Sequence, residues 1–375
     1  GAPPSVRCQA FCNQLPPTAT FLACYASGAA LKKHGRAFSL LTSTHPGLCS
    51  QSSSSFPPQH FSSGWLGARH ALETFFNLTL ITRLADWPRR AADLPVVVKP
   101  MRVLMGKPHA FDVVEVINVH MADASGELNP IDRNLAQSQW RAVAEAYNSI
   151  GVEVSTIDAG STHQDAVFTA NPSMALPLPN KGLEVWLGKM AHPSRRGETA
   201  SHQCFFDEAD ITTRTMPATV SRFEGCGDAI HHPGRFLLHA GTGPRTSADA
   251  WHALADAHAD LDILLYPLQD ERFYHLDTAL APITESCAMF VRSAFDANGL
   301  ELLHAAFSDL IEVTESEALH FAANAHCPDG KHVLIQSGCS HIEAELRSRG
   351  FTPIPLETSE FIKSGGSVFC MKQSY

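Results

Sequence analysis

Phe273-Tyr274-His275-Leu276-Asp277-Thr278 sets a histidine and a carboxylate two residues apart in a largely apolar run. On an extended chain that spacing puts both side chains on one face. Working outward, other polar residues sit in or just after strand-like apolar runs. Asn118 lies in residues 116–121, Asn171 follows residues 167–170, and Glu224 stands in Phe223-Glu224-Gly225-Cys226-Gly227-Asp228. Asn324 lies in residues 321–325, and Cys370 ends Gly365-Gly366-Ser367-Val368-Phe369-Cys370. With His275 standing for its pair, the intervals are 53, 53, 51, 49 and 46 residues. Near-equal intervals predict five similar units, each delivering a polar residue to a common axis. A propeller of α/β units would gather them in one central pocket.

The intervening sequence reads as mixed α/β. Strands are predicted at residues 101–106, 152–157, 167–169, 183–187, 235–239, 263–266, 287–291, 310–313, 332–335, 352–355 and 367–371. Asn129-Pro130 reads as the opening of a helix, with Asn as N-cap and Pro at the first position. Ala136, Trp140, Val143, Tyr147 and Ile150 then form one helix face. Further helices are predicted at 198–209, 247–259, 300–307 and 341–349.

The chain has 375 residues, with Lys+Arg 28 and Asp+Glu 38, a net charge of -10. A nucleic-acid binder usually carries a basic excess, so the expected partner is a small molecule or another protein. No stretch reaches the ~18 uncharged apolar residues of a membrane-spanning helix. A homo-oligomer stays open. Residues 1–72 contain no Asp or Glu but hold Arg7, Lys32, Lys33, Arg36 and Arg69. They include the run 52–55 of serines. Residues 1–97 are therefore read as an N-terminal extension, either an organelle (mitochondrial) targeting segment or a disordered tail, ahead of a catalytic domain at 98–375. Without targeting, the protein is expected in the cytoplasm. An apolar secretory segment at 21–31 has poor flanks, and Asn77-Leu78-Thr79 is a sequon of a kind common by chance.

Cys8, Cys12, Cys24 and Cys49 lie in the extension. Cys204, Cys226, Cys287, Cys327, Cys339 and Cys370 are read as reduced thiols, since no disulfide framework is needed at this size. No CxxC, HExxH, P-loop or GxGxxG is present, so no metal or nucleotide site is predicted.

Cys370, His275 and Glu224 are distant in sequence but convergent at the predicted axis. They make a nucleophile, an acid/base and an orienting or second acid group. Gly365-Gly366 would let a substrate approach the backbone. Asp277 beside His275 suits a planar cation that takes paired hydrogen bonds. A buried inert cysteine and an unrelated histidine are the alternative reading of the same residues.

Taken together, Phe168-Thr169-Ala170-Asn171, the 223–228 and 273–278 runs and the 365–370 run resemble the guanidine-modifying pentein superfamily. Val116-Ile117-Asn118, Arg195-Arg196-Gly197-Glu198 and Asp270-Glu271-Arg272 support the resemblance, which spans about residues 99–371. It implies a five-bladed ββαβ propeller with pseudo-fivefold symmetry and no need of a metal or organic cofactor. It implies Cys370 as the nucleophile on a guanidinium carbon, His275 as general acid/base, and Glu224 and Asp277 as guanidinium-binding carboxylates. Arg245 is then a grip for a substrate α-carboxylate, with Arg195 as a second candidate and Asp228 as a supporting group. Asn171 and Asn118 resemble the arginine dihydrolase pattern, where deiminases and dimethylarginine hydrolases usually carry Asp at the first position. Pro172-Ser173-Met174 and Val119-His120 depart from the family pattern.

The expected activity is therefore hydrolysis of arginine, or a close analogue, to ornithine, ammonia and carbon dioxide. Dimethylarginine hydrolase, arginine deiminase and amidinotransferase are the enzyme alternatives. A non-catalytic pentein, such as a ribosome anti-association factor, is the alternative outside enzymes.

Overall fold

Residues 80–160, 162–179 and 182–375 are described by the computed structural model. They belong to one compact unit, Leu72–Tyr375. Residues 1–79 of the extension expected at 1–97, with its four cysteines, its serine run and the sequon, lie outside the described residues.

Among the described residues the strands form five sheets with one recurring order. An antiparallel pair comes first; its second strand leads through a helix to a parallel neighbour. A parallel partner needs such a crossover. The first sheet sets β15 (Gln373–Ser374) against β2 (Arg102–Gly106), then α1 (Arg133–Ser149) and parallel β3 (Glu153–Ile157). The second runs β4 (Ser173–Leu178), β5 (Gly182–Leu187), α2 (Glu198–Glu208) and β6 (Thr212–Thr215). The third runs β7 (Ala229–His231), β8 (Leu237–Thr242), α3 (Ala248–Ala257) and β9 (Asp262–Pro267). The fourth runs β10 (Leu280–Pro282), β11 (Cys287–Phe290), α4 (Ala297–Ala306) and β12 (Asp309–Glu312). In the fifth, β13 (His332–Gln336), α5 (Ser340–Ser348) and parallel β14 (Thr352–Leu356) are joined by a single antiparallel bridge, His326 to Leu334.

Local chemistry explains the helices and corrects one start. The cap of α1 is Asp132, whose Oδ1 accepts from Asn134 N at 3.0 Å and Leu135 N at 3.1 Å. A carboxylate satisfying two orphan N–H groups outcompetes the Asn129 expected there. Asn129 Nδ2 instead donates to His120 O at 2.7 Å and ties down the preceding loop. Ala136, Val143 and Tyr147 are buried as the periodicity requires. Burying a side chain such as Val143 contributes about 1.5–3 kcal/mol.

Two predicted strands are turns. Residues 167–169 and 367–371 are apolar because they are buried under the site. Burial without a ladder leaves the same hydrophobic signal as a central strand. The true neighbours are β4, obscured by Pro177 on a sheet edge, and the short β15.

Residues 80–97, assigned to the extension by sequence, are integrated in the fold. β1 (Leu80–Ile81) pairs in parallel with β9. Trp87 Nε1 donates to Asp262 Oδ2 at 2.9 Å, and Arg89 pairs with the same carboxylate. Phe236 N donates to Pro95 O at 2.8 Å, and Val97 N to Gly234 O at 3.1 Å. The boundary expected at 97 does not separate these residues from the catalytic domain.

Candidate active site

Each unit's first strand is preceded by a buried turn, and those turns carry the polar residues singled out in the sequence. Asn171 precedes β4, Glu224 precedes β7, His275 and Asp277 precede β10, Asn324 precedes the His326 bridge, and Cys370 precedes β15. All six are at most 2% exposed. Asn118 is the exception. It lies in the loop between β2 and α1, so its matching interval was a coincidence. It still reaches the site, donating to Ser364 O at 3.0 Å.

Cys370 is held by Asn324, which was marked in the sequence but given no role. Asn324 Oδ1 accepts from Ser367 N, Phe369 N and Cys370 N at 3.0, 3.1 and 3.2 Å. Its Nδ2 donates to Asp277 O at 2.9 Å and to Cys370 Sγ at 3.1 Å. One amide thus fixes the backbone of the cysteine turn and the sulfur. The thiol donates to Asp277 Oδ2 at 3.1 Å. Burial, then the Asp277 charge, push the thiol well above its ordinary value. Burial likewise pushes Asp277 up to about 7, against the opposing pull of the thiol and Lys372. Asp277 Oδ1 has no partner. An arriving cation would favour the charged forms of both groups.

Glu224 joins the other half. Its Oε2 accepts from His275 Nε2 at 2.9 Å and Arg245 Nη1 at 3.0 Å, and its Oε1 from Ala191 N at 3.0 Å. Burial alone would raise this carboxyl, but Arg245, His275 and Arg195 outweigh it and hold it well below the usual carboxylate range. Asp228 Oδ1 accepts from Leu276 N at 3.1 Å, with Oδ2 at 4.0 Å from His275 Nε2; burial pushes Asp228 up to about 6. Gly227 is required by this packing. A Cβ there would stand 2.5 Å from Asn171 Nδ2 and 3.1 Å from the His275 ring.

The arginines are already engaged. Arg195 grips Glu198 through Nε and Nη2 at 2.9 and 2.8 Å, and Nη1 donates to Asn171 Oδ1 at 2.9 Å. Asn171 Nδ2 is left without a partner. Arg245 Nη2 donates to Ile117 O at 2.7 Å, and its guanidinium lies over the Tyr274 ring at 5.0 Å. Tyr274 Oη donates to Gly365 O at 2.7 Å. A Cβ on Gly365 would meet Asn118 and Tyr274 at 2.8 Å, so crowding by those side chains also demands the glycine (φ +88°).

A small cavity opens onto Cys370, Asn118, Asn171, Arg195, Arg245 and Asp165. Asp165, which accepts from Ser364 Oγ at 3.0 Å, was missed in the sequence. It lies six residues before Asn171, in a segment with no period to mark it. Glu224, His275, Asp277 and Asp228 lie behind this surface, linked to it through Arg245 and Cys370.

A thiol at the cavity of an α/β fold is backed by a histidine–carboxylate pair and by buried carboxylates linked to it. That is the constellation of a cysteine-dependent hydrolase of guanidino groups, and the comparisons with known proteins agree. Residues 108–374 match the family model described as N,N dimethylarginine dimethylhydrolase, eukaryotic, and the chain belongs to this family. It is 34% identical over 272 residues to the N(G),N(G)-dimethylarginine dimethylaminohydrolase of Mycobacterium tuberculosis, covering 72% of this chain and 84% of that protein. It is 30% identical over 274 residues to ArgZ of Synechocystis sp., a bifunctional arginine dihydrolase/ornithine cyclodeaminase, covering 72% of this chain but only 37% of ArgZ. The substrate-bound crystal structure of the ArgZ N-terminal domain superposes with a TM-score of 0.67 at 28% identity, covering 73% of this chain and 97% of that domain. A second ArgZ structure, with an asparagine replaced by serine, carries a covalently bound reaction intermediate (TM-score 0.67, 29% identity, 73% and 97% covered). The chain is therefore an amidinohydrolase with the α/β fold of those structures.

Proposed function

We propose that the protein is an arginine dihydrolase: L-arginine and two waters give ornithine, two ammonia and carbon dioxide. The observation that carries this reading is Asn171, an amide at the cavity wall whose Oδ1 is committed to Arg195 and whose Nδ2 is free. A carboxylate there would add a second anchor for the guanidinium. An amide of the same size withholds that charge and keeps Nδ2 free to donate, so a bound intermediate can stay to react with a second water.

The geometry supports a stepwise course. The substrate guanidinium takes over Glu224 Oε2, where Arg245 now sits, and its charge favours ionised Asp277 and Cys370. Arg245, displaced, becomes available to the α-carboxylate. The Cys370 thiolate attacks the guanidinium carbon, and His275, oriented by Glu224, protonates the departing ammonia. Water, deprotonated by His275, adds to the amidino-cysteine, and a second ammonia leaves. A second water then breaks the carbon–sulfur bond, and the released carbamate loses carbon dioxide to leave ornithine.

The dimethylarginine reading is favoured by the family model and by the Mycobacterium relative. Incubating the protein separately with L-arginine and asymmetric dimethylarginine, with mass-spectrometric product identification, separates the two. Ornithine from arginine supports the dihydrolase; citrulline and dimethylamine from the methylated substrate alone would replace it. The repeated order of the five sheets, and the axial contacts of their leading turns, also support closure into a five-bladed propeller.

A further inference from the structure

The turn that presents Cys370 to the first cavity presents Phe369 and Lys372 to a second, larger and more open one. Among the described residues no aspartate or glutamate lines this second space, although acids outnumber bases in the chain by 38 to 28. Lys372 is 2% exposed. Its Nζ lies 3.3 Å from the centre of the Phe369 ring and has neither a hydrogen-bond acceptor nor a carboxylate partner among the described residues. A ring face offsets only part of an ammonium's lost hydration and satisfies none of its donors in a directional way. Lys99, half-buried in the wall, likewise has no acceptor.

The histidines that line the space do not supply the missing negative charge. His231 is engaged with Ala175 O at 2.8 Å, His326 with Tyr147 Oη at 3.0 Å, and His232 Nδ1 with His239 Nε2 at 3.2 Å. Burial pushes His231 and His232 down to about 4, so both are neutral at pH 7. Burial lowers Lys372 only to about 8, so it remains largely cationic there. Asp277, Cys370 and Cys226 act on Lys372 only through space, with no hydrogen bond to it among the described residues. A buried cation so incompletely compensated is costly, and an anion entering from solvent removes that cost.

We propose that this second cavity binds a small oxyanion, a carboxylate or a phosphate, through Lys372 at its buried end with Lys99 as a second cation. The site is distinct from the guanidine cavity, and it stands or falls independently of the substrate assignment.

The test is thermal unfolding of the full chain titrated with inorganic phosphate or with succinate, against sodium chloride of equal ionic strength. The expected result is a saturable rise, on the order of 3 °C at tenfold the dissociation constant, with one anion and not with chloride. A larger effect of phosphate assigns an inorganic or phosphoryl ligand; a larger effect of succinate assigns an organic acid. Lys372→Met should abolish the rise, and Lys99→Ala should weaken binding several-fold, whereas Arg245→Gln in the first cavity should retain it. If Lys372→Met does not fold, Lys99→Ala decides. Equal responses to all salts, a full response in Lys372→Met, an unchanged affinity in Lys99→Ala when it alone decides, or loss in Arg245→Gln would overturn the proposal.

Discussion

The two cavities share one wall and treat charge in opposite ways. In the first, Glu224 has three partners, Arg195 is locked to Glu198 and Asn171, and the Cys370 thiol is paired with Asp277. In the second, Lys372 has no hydrogen-bond acceptor among the described residues. The first is a network in which a cationic substrate exchanges with an internal guanidinium, that of Arg245. The second holds buried Lys372, with half-buried Lys99, in a largely apolar wall. A buried network of this kind specifies geometry, which catalysis demands; a lone buried charge specifies only the sign of what can join it.

The strongest way to break this comparison is at the sulfur. Cys370→Ser should lower kcat by about 10³-fold or more while leaving far-ultraviolet circular dichroism unchanged, because the thiolate is the nucleophile. Residual turnover within tenfold of the native rate would remove Cys370 from the mechanism. Glu224→Gln comes next. It takes the charge from both His275 and Arg245, and kcat/KM should fall by about 10³-fold. Steady-state kinetics with L-arginine decide; a change in KM alone would make Glu224 a binding group only.

Asn324→Ala sharpens the contrast without touching any charge. Ser367 N, Phe369 N and Cys370 N lose their common acceptor. We expect kcat to drop by about 10²-fold with KM little changed, and unfolding free energy to fall by about 1–3 kcal/mol. Slower alkylation of Cys370 by iodoacetamide would separate positioning from a stability effect alone.

The mildest effect is that of pH. Asp277 sits at about 7 when the cavity is empty, raised chiefly by burial. A guanidinium favours its carboxylate, so binding below that pH releases a proton. KM should rise by up to about tenfold per unit as pH falls below 7. The stability sign is opposite to that of a paired carboxylate. With the folded value raised, the contribution is complete below the unfolded value of about 3.9 and is lost as pH rises through 7. Asp277→Asn should flatten both profiles; an unchanged KM profile would place the titration on another group.

Residues with distinctive chemistry were legible in the sequence. Cys370, His275, Glu224, Asp277 and Asn171 do meet at one place, and the four intervals that link the five leading turns reflect a real structural repeat. The repeat misled at Asn118, because chemical type does not distinguish an axial turn from a loop that folds over it. Residues 367–371 read as a strand because Val368, Phe369 and Met371 are as apolar as a ladder would be, and that reading hid Lys372 within an interior run. Asn324 carried no chemical signal of its own, since its role is entirely in hydrogen-bond geometry. Residues 80–97 looked like extension because their anchors, Trp87 to Asp262 and Pro95 to Phe236, are far apart in sequence.

The most direct test of the central claim follows the guanidino carbon itself. L-Arginine labelled with ¹³C at that carbon should, on complete turnover, deliver the label to carbon dioxide and bicarbonate, with unlabelled ornithine as the amino-acid product. Label retained quantitatively in citrulline would contradict the two-water course and the role given to Asn171.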